Sequence, residues 1–136
     1  MSSNAKLAKE WFYSAENDYQ YAILGLKEEH IYPQAAFLLQ QVVEKILKGM
    51  LVLKEIEPPM IHDLQKLLKM VIKLFPDFQI FEKECLLLNS FYIESRYPPD
   101  IPNYTKVQIL IAFKAAERFR NFFREKVVIG EEEKEE

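Results

Sequence analysis

The chain has 136 residues, with 18 lysines and arginines against 21 aspartates and glutamates and a formal net charge of −3. That length suits one domain, able to bury about two-thirds of the surface its unfolded chain exposes. Five glutamates and a lysine fill the last six positions and account for the negative balance, so the body is nearly neutral and a broad phosphate-binding surface is excluded.

A single cysteine, Cys85, cannot form an internal disulfide and has no metal-ligand spacing with His30 or His62, which points to a reducing compartment and no metal site. The opening MSSNAKLAKEWF lacks the apolar core of a secretory signal, and no apolar run approaches the roughly 18 residues of a membrane span, so a cytoplasmic protein is expected. Only three glycines, among many leucines, lysines, glutamates and alanines, favour helix throughout. No glycine-rich phosphate loop is present and no cofactor is expected. Residues 1–127 read as one helical domain and 128–136 as an acidic disordered tail.

In chain order, Ala8, Trp11, Phe12, Ala15, Tyr19, Ala22, Ile23 and Leu26 recur at three- and four-residue steps and predict a first amphipathic helix. Asp18 stands at the edge of that stripe, either bordering a packed interface or simply in water. His30 follows at the helix end, where an imidazole can meet free carbonyls. The second helix, Pro33 to Lys54, organises the chain: Ala35, Ala36, Leu39, Val42, Val43, Ile46, Leu47 and Met50 fill one broad arc. Gln40, Gln41, Glu44, Lys45 and Lys48 occupy the other. Gln41, Glu44 and Lys48 share one line with Phe37 at its N-terminal end. Glu44 and Lys48 read equally as a solvent-facing ion pair of about 0.3 to 0.5 kcal/mol.

Pro58 and Pro59 stop that helix, and His62 and Asp63 open a third, with Asp63 as its cap or first-turn acid. A fourth helix is expected from about Phe78 to Ser95, with Cys85 in its inner stripe. The stretch SRYPPDIPNY follows: Pro98, Pro99 and Pro102 force a stiff extended loop with Arg96 and Tyr97 at one end and Asn103 and Tyr104 at the other. Asn103 has a second reading as the cap of the last helix, about Tyr104 to Val127. Apolar residues cover more than half of that last helix, which predicts a homodimer using its surface or that of the first.

The pieces WFYSAENDYQYA, AAFLLQQVVEKILKGML, the loop histidine of IHDLQKLL, FYIESRYP and AFKAAERFRNFF, in that order, resemble the HEPN domain family, named for higher eukaryotes and prokaryotes, nucleotide-binding. The resemblance spans about Ala5 to Lys126. It implies an all-α, up-and-down bundle of four or five helices, commonly dimeric and often paired with a separately encoded minimal nucleotidyltransferase in toxin–antitoxin-like systems.

Many members of that family are metal-independent ribonucleases marked by an arginine and, four to six residues on, a histidine: a base for the 2′-hydroxyl and a cation for the phosphate. Arg96 matches the arginine, but Ile101, Pro102 and Asn103 occupy the histidine's places, and none can carry a proton near neutral pH. In one toxin branch the histidine is followed, after one intervening residue, by a tyrosine that the partner enzyme modifies with AMP; Tyr104 lies one position beyond that spacing, so the role is not carried over.

The sequence therefore points to a noncatalytic nucleotide- or partner-binding module acting with a minimal nucleotidyltransferase. Its expected polar site comprises Arg96, Tyr97, Lys48, Glu44, Asp18 and His62, with Asn103 and Tyr104 at the far end of the proline loop. A ribonuclease with an altered active site, RNA being its substrate, and a purely structural dimeric scaffold are the alternatives.

Overall fold

The structure, a computed structural model, describes residues 2–92 and 103–127, so Arg96 and Tyr97 of the expected site, and the acidic tail, lie outside the described residues. The stripe beginning at Ala8 forms helix α1 (Ser2–Gly25), which lies along helix α2 (Tyr32–Leu53). Ala8, Ala15 and Ala22 are fully or almost fully buried at this contact, and their small side chains let the two axes approach closely. Two glycines serve the same approach. A Cβ on Gly25 would stand 3.1 Å from that of Ala35, and one on Gly49 would run into the Phe12 ring.

A short 3₁₀ turn, Glu29–Ile31, joins α1 to α2; His30 sits in it, exposed and 3.9 Å from Glu28, and does not cap the helix. Pro33 takes the first turn of α2, where an N–H has no helical partner to lose. At the other end Glu55 adopts a left-handed conformation (φ 63°). Its N–H reaches Val52 O at 2.9 Å, and that of Ile56 reaches Leu51 O at 2.9 Å, a paired closure of the last turn.

Helix α3 (Leu64–Ile72) is capped by Asp63 as its position suggests: the carboxylate accepts from the backbone N–H of Gln65 at 2.9 Å and of Lys66 at 3.3 Å. The expected single helix from Phe78 is instead a 3₁₀ segment, Pro76–Phe81, leading into α4 (Glu82–Asn89). The tighter winding aligns residues three apart. It sets Phe78 and Phe81 together against Phe119, with ring centroids at 5.5 and 5.0 Å in edge-to-face geometry. Helix α5 (Lys106–Lys126) begins at a capping box, not at Asn103: Gln108 N–H donates to Thr105 Oγ1 at 3.1 Å, and Thr105 N–H donates to Gln108 Oε1 at 2.8 Å.

These five helices make an all-α up-and-down bundle in which α2 touches each of the other four. Cys85 is fully buried, and desolvation together with the Glu84 charge pushes its thiol up to about 12, so it serves as a small apolar filler at neutral pH. Among the described residues no helix is long and apolar enough to cross a membrane.

The α3 cap is pH-sensitive in a defined direction. The hydrogen bond donated by the Asn89 side-chain amide, supported by those from the Lys66 and Gln65 backbone N–H groups, holds the Asp63 carboxyl below its ordinary range despite some desolvation. A depressed folded-state value contributes stability above the unfolded-state value, near 3.9, that is lost as pH falls through the folded one. Asp63→Ala should cost about 1 kcal/mol in urea unfolding at neutral pH, and the gap from the parent chain should close below about pH 4. A gap that persists undiminished into acid would show that the carboxylate is not the source.

Candidate functional site

Because α2 is packed against α1, α3, α4 and α5, most of its polar arc is withdrawn from water, with Gln41 and Lys45 left partly exposed. The solvent-facing reading of Glu44 and Lys48 is therefore corrected: their side chains are 5% and 8% exposed, and Gln40 is fully buried beside them. Four donors converge on the Glu44 carboxylate. Oε2 meets His62 Nδ1 at 2.9 Å and Lys48 Nζ at 3.0 Å; Oε1 accepts from Gln41 Nε2 at 3.0 Å and Gln40 Nε2 at 3.3 Å. That number matches the acceptor capacity of an ionised carboxylate, the condition under which a buried charge is tolerable. The Lys48 ammonium also lies 5.9 Å from the centre of the Trp11 ring, which covers it from α1.

The same cluster fixes His62, which lies in the connection between α2 and α3. Gln40 Nε2 donates to His62 O at 3.1 Å, so the backbone is tied to α2 as well as the ring. Immediately downstream, Asn89 at the end of α4 clamps the start of α3. Its Oδ1 accepts from Leu64 N–H at 2.7 Å and its Nδ2 donates to Asp63 Oδ1 at 2.9 Å. The imidazole stacks on Tyr92, with centroids 4.4 Å apart and planes at 16°, and Tyr92 in turn meets Phe37 at 5.7 Å.

An ionised carboxylate can only accept, so the imidazole places a hydrogen on Nδ1, and Nε2 meets no hydrogen-bond partner among the described residues. With its side chain 47% exposed, His62 presents that polar edge beside an aromatic surface, while all the groups that hold it are buried or partly buried. The arrangement can accept or donate one proton or hydrogen bond and can stack a planar ligand.

The structure thus brings together Glu44, Lys48 and His62 of the sequence-derived set. Asp18 is engaged elsewhere: its Oδ2 lies 2.8 Å from Lys45 Nζ, which also donates to Ser14 Oγ at 2.8 Å. Asn103 is exposed, and Tyr104 packs edge-on against Phe91 at 5.0 Å. Sequence reasoning did not assign Gln40, Tyr92 and Asn89 to the site. Gln40 stands four residues before Glu44, a spacing that signals a contact along a helix. Asn89 is 26 residues from Asp63, and no local pattern joins them. Among the described residues no three of His, Cys, Asp and Glu are grouped as metal ligands would be.

Removing the central carboxylate leaves a buried ammonium without its counterion. Glu44→Ala is expected to lower unfolding free energy by about 3 kcal/mol, and adding Lys48→Met should restore a large part of it. Chemical denaturation of the two singles and the double checks this; a loss well under about 1 kcal/mol in Glu44→Ala would mean the pair is in effect hydrated.

A model of the HEPN domain matches residues 8–126. Among solved structures, the chain is similar to TT1696 from Thermus thermophilus, at 23% identity and a TM-score of 0.74, over 88% of this chain and 98% of that one. It is also similar to ST0689, described as an archaeal HEPN homologue, at 26% identity and a TM-score of 0.69, over 88% of this chain and 96% of that one. No curated protein matches. The first likeness concerns the fold alone; with the domain match running over nearly the whole bundle, from the stripe of α1 to the end of α5, the chain belongs to the HEPN domain family.

Proposed function

We propose that this protein is a noncatalytic nucleotide- or partner-binding module that acts with a minimal nucleotidyltransferase in a toxin–antitoxin-like system. The observation that carries the reading is the half-exposed His62 ring, held by buried Glu44 and stacked on Tyr92. Buried charge is costly to maintain, and here it serves to hold one imidazole at the surface. An aromatic face beside a fixed polar edge suits a nucleobase and its sugar–phosphate. Arg96 and Tyr97 follow Tyr92 by four and five residues, so they belong to the same proposed site, with the guanidinium meeting phosphate and Tyr97 adding a stacking face. Lys48 and Glu44 act from beneath as positioning groups. Asp18, Asn103 and Tyr104 have weaker support, being engaged or placed as described above.

Calorimetric titration with AMP, ATP and a short RNA tests the reading. One of these should bind saturably, and Arg96→Ala and His62→Ala should each weaken it by roughly tenfold or more, in line with loss of a charge-assisted bond or a stacking face. Affinity unchanged in both variants would remove the site. One observation favours the ribonuclease alternative: a carboxylate that fixes a histidine tautomer is also how a general base is oriented. Incubation with total RNA separates the two, since cleavage lost in His62→Ala supports that alternative and intact RNA supports the binding module.

A homodimer is part of the same reading. Val107 and Ile111 on α5 are 66% and 49% exposed, and Tyr13, Tyr21 and Leu24 on α1 are also exposed, more apolar surface than either helix needs in a monomer. Sedimentation equilibrium should show a dimer at micromolar concentration. A monomer throughout that range would refute this part.

A further inference from the structure

The two histidines of the chain sit in opposite surroundings. His30 lies in the turn between α1 and α2 with its side chain 78% exposed, and its Nδ1 is 3.9 Å from Glu28, which is exposed as well. His62 has its Nδ1 at 2.9 Å from a carboxylate that is 5% exposed, and one face of its ring on Tyr92. The two nitrogens of an imidazole stand apart around the ring, so an edge anchored through Nδ1 turns Nε2 away from α2, into the half of the side chain that solvent reaches. With the hydrogen on Nδ1, Nε2 carries the lone pair of the ring, and among the described residues no donor occupies it.

The surroundings favour bond formation at that lone pair. A carboxylate that accepts from one nitrogen raises the basicity of the other, and it stands ready beside the positive charge the ring acquires when Nε2 is bonded. The carboxylates that touch this segment are both already answered. Glu44 is paired with Lys48 at 3.0 Å, and Asp63 is committed to Asn89, to the backbone N–H groups of Gln65 and Lys66, and to the charge of Lys66. The ring is also ordered in advance, since Glu44 fixes its edge and Tyr92 its face, while an approach to Nε2 in the ring plane stays open to solvent.

We infer that His62 Nε2 is a phosphoryl acceptor, modified by a small donor that carries a phosphoryl group on a good leaving group, as a phosphoramidate does. Nε2 gives its lone pair to phosphorus, the P–N bond of the donor, protonated on nitrogen, breaks, and ammonia leaves with the electron pair of that bond. The hydrogen on Nδ1 stays where it is, so the product is an Nε2-phosphohistidine whose ring cation meets the Glu44 carboxylate. No oxidant or reductant enters. His62 is the substrate of this step, which agrees with a noncatalytic module, and the step needs the geometry of the ring but no bound nucleotide.

Potassium phosphoramidate supplied to the full chain, without nucleotide, tests it. Phosphorus NMR and peptide mass spectrometry should place one phosphoryl group on His62, bonded to Nε2, formed about tenfold faster or more than on the more exposed His30. In urea, where Glu44 no longer meets the ring, the two histidines should react at similar rates. Glu44→Gln, which keeps an acceptor but removes the charge, should slow His62 about tenfold and leave His30 as it was. If that variant does not fold, Glu44→Gln with Lys48→Met, which removes the stranded ammonium, takes its place. No phosphoryl group on His62, phosphorus on its Nδ1, His30 reacting as fast in the folded chain, selectivity that survives urea, or a His62 rate indifferent to loss of the Glu44 charge would each overturn the inference. None of these outcomes bears on nucleotide affinity measured by calorimetry, so the two readings fail separately.

Discussion

A carboxylate in the middle of a packed helix sets the terms for this molecule. Glu44 sits on the helix that touches all the others, and it is kept there by an ammonium, two amides and an imidazole that together use its acceptor capacity. Each of those partners is constrained in return. Lys48 is covered by Trp11, Gln40 is committed to the His62 carbonyl, and His62 is held between Glu44 and Tyr92. The connection from α2 to α3, which carries no regular structure of its own, becomes a fixed part of the surface through these contacts.

The bundle around the cluster supplies the rigidity it needs. Alanines and Gly25 bring α1 against α2, and the Phe78, Phe81 and Phe119 rings lock α5 to the 3₁₀ segment before α4. Asn89 then joins the end of α4 to the start of α3, one residue after His62. Rotamers locked by packing make a small polar site more exact in its geometry than a loop alone could.

The helices were legible because their apolar spacing is strong: the stripe from Ala8 to Ile23 and that from Ala35 to Met50 lie on α1 and α2, and Asp63 caps α3. Local chemistry that depends on a partner three residues away was harder to read. Thr105 with Gln108, not Asn103, starts α5, and phenylalanines three apart favour a 3₁₀ turn before α4. Within the site, Glu44, Lys48 and His62 were expected in one polar cleft, the first two from one helical line and the third from its place in a loop. That they meet depends on which side of α2 the following loop returns, and helical periodicity carries no such information. Burial was misread for the same reason: the arc opposite the apolar stripe is polar, yet on a helix central to a bundle Gln40, Glu44 and Lys48 are covered by its neighbours.

The most direct measurement of the cluster is the tautomer of His62, read from the long-range proton–nitrogen couplings of its ring in the neutral form. If Glu44 orients the imidazole, the hydrogen lies on Nδ1, the form less favoured by free imidazole side chains in water, and Glu44→Ala abolishes that preference. A hydrogen on Nε2, or a ring averaging as in a free peptide, would contradict the claim that the buried carboxylate holds the surface histidine.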